Sequence, residues 1–185
     1  EEDRGEVMAA VRRGIETANA EEDEAEQAIR LSCLARLLGE FDGPDVADAL
    51  IEILDSEHPD VRLEAGEQLQ GLAFDRFKEV AQATERALAK MGTGSNALVE
   101  LPLLLSEVPE GGVVRLLGQF LAHRDGDVVA AAIEALVEVG DPAVVAMLED
   151  LVDDTRVSAL EGMEDEEVTV GDLASDAIQI LQPDD

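Results

Sequence analysis

The segment Pro44-Asp-Val-Ala-Asp-Ala-Leu-Ile-Glu-Ile-Leu-Asp-Ser56 decides the fold, because Pro142-Ala-Val-Val-Ala-Met-Leu-Glu-Asp-Leu-Val-Asp-Asp154 repeats its pattern without a gap. Both copies place proline in a first helical turn, where its missing N–H costs nothing. Both carry apolar residues at i, i+4, i+7 and i+8: Val46, Leu50, Ile53 and Leu54, then Val144, Leu148, Leu151 and Val152. That spacing is one face of a helix. The copies lie about three units of roughly 33 residues apart, a spacing typical of helical repeats.

The intervening copies follow the same template. Val80, Thr84, Ala87 and Leu88 form one, and Val113, Leu117, Phe120 and Leu121 another. Val7, Val11, Gly14 and Ile15 give a weaker first copy. After each of these A helices comes a B helix, apolar at i, i+4, i+8 and i+11. Val61, Ala65, Leu69 and Leu72 fit best, and Val128, Ala132, Leu136, Val139 and Val170, Ala174, Ile178, Leu181 match closely. Ala97, Leu101, Leu105 and Val108 are looser, and Ile29, Cys33, Leu37 with Glu40 are partial. Strands are excluded because the apolar spacing is three to four residues rather than two.

The expectation is an all-α chain of about five antiparallel helix pairs, stacked as a right-handed α-solenoid (an alpha-alpha superhelix) in a single domain, 1–185. The repeats fall near 5–41, 43–74, 75–109, 110–140 and 141–182, with insertions at 17–26 and 155–169. Each pair alone leaves an apolar face open, and stacking closes it. The acidic run at 17–26 reads as a solvated loop or helix start. The insertion at 155–169 reads either as a cap on the last repeat or as a recognition element.

The segment Asp60-Val-Arg-Leu-Glu-Ala-Gly-Glu-Gln-Leu-Gln-Gly-Leu72 resembles the second helix of a HEAT-like repeat of the phycobilin-lyase type. The resemblance extends over nearly the whole chain as a repeat pattern. In that family an Asp before and an Arg after the first apolar position often form a ladder between repeats. Only Asp60 and Arg62 supply both here, so stacking is expected to rest on apolar burial. The resemblance argues against catalysis. Di-iron HEAT-like hydroxylases use His-Glu steps, and this chain has none. The DNA-base-excision members use a basic face, and the lyase branch acts on chromophores with residues that have no counterpart here.

Charge sets the solvent. The 185 residues hold 44 Asp and Glu against 13 Lys and Arg, a formal net charge of −31, yet 46% are hydrophobic. That apolar fraction belongs to a folded protein. Eleven of the basic residues are Arg and two are Lys. Lysine depletion with evenly spread acids resembles proteins of salt-loving archaea. The alternative is an acidic protein that binds a basic partner. The negative surface argues against nucleic acid, and no long apolar run suits a membrane. The acidic start, Glu1–Asp3, with no apolar stretch after it, points to the cytoplasm.

No chemistry-bearing cluster stands out. Cys33 is expected to be a small buried hydrophobe, and His58 and His123 lie at helix ends. No metal, cofactor or catalytic residue is expected. The function expected is a scaffold or adaptor that binds another protein, as monomer or homodimer. The rivals are a regulatory or assembly subunit of a larger archaeal complex, of motility–chemotaxis or cofactor-attachment type, and an enzyme with an unrecognised site. Candidate partner-binding residues are Arg30, Arg62, Gln68, Glu100 and Glu134 by helical phase, and Leu98, Leu160 and Met163 by an expected exposed apolar patch at Leu98–Leu105 or Leu160–Met163.

Like charges this dense oppose the compact state. At 1 M salt the Debye length is about 3 Å, and the repulsion is largely screened. Helical circular dichroism and thermal midpoint should therefore rise from low to molar KCl. Equal stability at low salt contradicts the high-salt reading.

Overall fold

Nearly every predicted helix forms where its apolar spacing places it. A computed structural model describes residues 2–159 and 168–182, and the described chain is mostly helical. The chain divides into two compact units, 1–89 and 90–185.

In the first unit, α1 (Glu2–Asn19) is followed by α2 (Glu24–Leu38), α3 (Pro44–Leu54) and α4 (Pro59–Lys90). The acidic run at 17–26 ends α1, turns, and opens α2. Asp23 caps α2 by accepting from the Ala25 and Glu26 backbone N–H groups, and Glu24 and Glu26 lie in the first turn. Their charge suits the positive end of the helix. α3 starts at Pro44 after Gly43, whose φ of 120° a side chain rarely adopts. Val46, Leu50, Ile53 and Leu54 are all buried, as their spacing predicts.

α4 joins a predicted B helix to the next A helix through a break at Arg76 (φ −140°, ψ 47°). No turn sequence was needed there, because one residue outside helical geometry redirects the chain. Val61, Ala65 and Leu69 are buried before the break, and Val80, Thr84 and Ala87 after it. The Thr84 hydroxyl is buried and has no partner among the described residues. α1 packs on α2 and α3, and α2 packs on α3. Ion pairs tie α4 to its neighbours: Arg36–Glu64 at 2.6 Å, Asp48–Arg86 at 2.9 Å and Asp42–Arg76 at 3.0 Å. Partly exposed pairs of this kind contribute about 0–1 kcal/mol each, so apolar packing dominates.

The second unit is built around α7 (Gly126–Val139), which packs against α5 (Asn96–Ser106), α6 (Val113–Phe120) and α9 (Val170–Leu181). α8 (Val145–Glu149), entered through a 3₁₀ turn at Pro142–Val144, packs on α9. The run Val128-Val-Ala-Ala-Ala-Ile133 is buried throughout. Alanines let neighbours approach α7 on several sides. Pro102 sits inside α5 and is buried; the helix continues past it despite the lost backbone bond. The last A helix is shorter than its template. It ends at Glu149, and Val152 is exposed.

The described ends of the 155–169 insertion pair as a two-stranded antiparallel ladder, β1 (Val157–Ser158) and β2 (Val168–Thr169). Asp127 at the start of α7 accepts from the Ser158 hydroxyl at 3.0 Å and the Ala159 N–H at 2.7 Å. Arg156 forks onto Asp154 and also donates to the His123 carbonyl. Its hydrogen bonds hold the Asp154 carboxyl below the ordinary aspartate range. Thr169 and Asp172 complete a capping box on α9. The base of the insertion is thus part of the fold.

Glycine makes that seat possible. A Cβ on Gly126 would run into the Val157 carbonyl oxygen, and one on Gly171 would lie 2.6 Å from the Val152 oxygen. These obstacles are backbone and cannot swing aside. Gly126→Ala should destabilise the protein by about 1–3 kcal/mol in denaturant titrations. Gly71→Ala, on an open helical surface with nothing within 4 Å, should instead be neutral or stabilising by up to about 1 kcal/mol. Equal effects of the two changes would contradict this packing.

Candidate functional site

The helix Glu24-Ala-Glu-Gln-Ala-Ile-Arg-Leu-Ser-Cys-Leu-Ala-Arg-Leu-Leu38 carries two apolar stripes and buries one. Leu31, Ala35 and Leu38 are buried. With Gln27 they follow the B-helix spacing, and the Gln27 Oε1 meets the His58 ring Nε2 at 2.8 Å. The second stripe is Ile29, Cys33 and Leu37. Ile29 is 64% exposed, Leu37 is 44% exposed and Cys33 is exposed.

This corrects the sequence reading, which put Ile29, Cys33 and Leu37 on the packed face and made Cys33 a buried hydrophobe. The reason is specific. A polar residue, Gln27, occupies the first position of the true stripe. Apolar spacing alone therefore selects a stripe two residues along, about 200° around the helix. The exposed stripe is surplus to packing. The equivalent positions are Leu63, Glu67, Gly71 in α4, Val99 and Leu103 in α5 with Glu107 at its C-cap, Ala130, Glu134, Glu138 in α7 and Asp172, Asp176, Ile180 in α9. Only α2 makes all three apolar.

Beside the stripe runs a groove of about 480 Å³ between α1 and α2, with Gly14, Ile29, Cys33 and Leu34 in its lining. Gly14 keeps it open, since a Cβ there would sit 3.2 Å from the Leu34 side chain. Arg13 and Arg30 edge it. Arg30 is engaged by its own helix end, with Glu26 at 2.5 Å and Glu21 at 3.1 Å. The Glu26 hydrogen bond raises the Arg30 pKa further. Arg13 is exposed, and its guanidinium forms no ion pair or hydrogen bond among the described residues.

The other candidate positions fare differently. Arg62 donates to the Ser56 and Glu57 carbonyls, closing the turn before its own helix. Gln68 donates to Glu64 one turn back, at 3.1 Å. Glu100 is half-buried on α5, and Glu134 is exposed on α7. Arg30, Arg62 and Gln68 belong to the first unit, and Glu100 and Glu134 to the second. The expected exposure near Leu98 is overturned. Leu98, Leu101 and Leu105 are buried, because α5 packs against both α6 and α7. Leu160 and Met163 lie outside the described residues.

Glu134 lines a second apolar groove, about 260 Å³, between α7 and α9. Ile133, Val137 and Leu173 contribute to it, and Ile180, 64% exposed, stands at its edge. Sequence phase located Glu134 but missed the groove, because Ile180 lies outside the repeat template. Among the described residues, no three His, Cys, Asp or Glu side chains are placed to share a metal ion. No described helix is long and apolar enough to cross a membrane. No protein family, curated protein or solved structure matches this chain.

Proposed function

We propose that this chain is a non-catalytic HEAT-like α-solenoid that acts as a scaffold or adaptor between proteins in a high-salt cytoplasm. The surplus stripe on α2 carries the reading. Three apolar residues at helical spacing are exposed on a chain otherwise rich in surface carboxylates, and no described residue covers them fully. Exposed apolar surface of this kind marks sites of protein contact. In molar salt, charge steers partners weakly, so affinity must come from apolar anchors such as Ile29 and Leu37. The adjoining groove has the form that accepts one face of an amphipathic helix.

Cys33 supplies the readout, since it is the sole cysteine and lies in the stripe. Helical peptides selected for binding in molar KCl should slow alkylation of Cys33 by about tenfold or more. Ile29→Glu should abolish their binding while leaving helicity intact. Selected binders that leave Cys33 fully reactive would contradict the proposal.

A further inference from the structure

We infer that the partner is a second copy of this chain, with the α2 stripe of one copy seated in the α7–α9 groove of another. The inference rests on the adaptor reading above and names its partner.

Shape is the first argument. Ile29, Cys33 and Leu37 recur at i, i+4 and i+8 on one helix, a straight ridge rising about 6 Å per step. The groove runs between two helices whose facing residues also recur every three to four positions. On α7 these are Ile133 and Val137, and on α9 they are Leu173, Ala177 and Ile180. A helical ridge laid along the furrow between two helices is ordinary helix packing. It would cover Ile29 and Ile180, each 64% exposed in the single chain.

Charge is the second argument. The ridge is flanked by Arg13 and Arg30, in a chain with 13 basic residues against 44 acidic ones. The groove is flanked by Glu134 and Asp176. Neither carboxylate has an ion pair or hydrogen bond among the described residues, and neither does the Arg13 guanidinium. Unengaged charges of opposite sign thus border two apolar surfaces that match in form. Ridge-to-ridge pairing would instead bring the arginines of both copies together. Complementary charge sets the register of such a contact, while burial of the ridge supplies its strength. Two bodies of −31 repel at low ionic strength, so association should grow with KCl.

The contact joins two different surfaces, which makes a decisive mixing experiment available. Masses are measured by light scattering in molar KCl for the wild type, Ile29→Glu and Ile180→Glu, with circular dichroism checking that each variant is folded. The wild type should exceed monomer mass. Each variant alone should be monomeric, its association weakened about tenfold or more. Mixed in equal amounts, the variants should recover a dimer, because the mixture holds one intact ridge and one intact groove.

A monomeric wild type at every concentration overturns the proposal. So does a mixture that stays monomeric. Association lost in Ile29→Glu but kept in Ile180→Glu would assign ridge-to-ridge pairing instead. A monomeric wild type whose Cys33 is still shielded by selected helical peptides removes the self-partner and leaves the adaptor reading standing. Loss of both effects removes both.

Discussion

Several helices of this chain are too short to be stable alone, so the fold depends on burying their apolar stripes against neighbours. Helices below about 12–15 residues are marginal in water, and α3, α5, α6 and α8 are at or below 11 residues. The chain has four Phe and no Trp or Tyr, so burial rests on Leu, Ile, Val and Ala. Small residues then become an asset. Ala130, Ala131, Ala132 and Ala135 let α7 be buried against α5, α6 and α9. Gly126 and Gly171 let backbone meet backbone where the insertion returns. Surface ion pairs here are partly exposed and worth about 0–1 kcal/mol each, so charge contributes little to cohesion.

Helix positions were legible because the apolar spacing is regular and proline or an acid usually marks a start. Pro44, Pro59 and Pro142 each open a helical segment, and Asp23, Asp125 and Asp141 cap α2, α7 and the 3₁₀ turn at Pro142. Two features were not legible. The join inside α4 carries no Gly or Pro, because a single residue, Arg76, makes the bend. The face of α2 was misread because Gln27 stands where the template expects an apolar residue, and a hydrogen bond to His58 accommodates it. Periodicity counts apolar residues and is blind to polar ones that are satisfied in place.

The same misreading concealed the candidate site. Residues chosen by phase alone, Arg62 and Gln68, spend their hydrogen-bonding groups within the fold. Leu98 is core. The informative signal was redundancy, in that α2 holds two apolar stripes and packs with one. A sequence that repeats an apolar pattern twice around one helix is describing two contacts. Asp127 teaches a parallel lesson. It stands just before the first apolar position of α7, Val128, with no arginine at 129, and it binds the returning insertion through Ser158 and Ala159.

The account turns on the exposed stripe of α2 being surplus to folding. The most direct measurement compares unfolding free energies, in dilute protein and molar KCl, of the triple variant Ile29→Ser, Cys33→Ser, Leu37→Ser and of Leu31→Ala on the opposite face. The account predicts a change under about 1 kcal/mol for the triple variant and a loss of about 2–5 kcal/mol for Leu31→Ala. A triple variant destabilised as much as Leu31→Ala would show that the stripe belongs to the core, and the site built on it would fall.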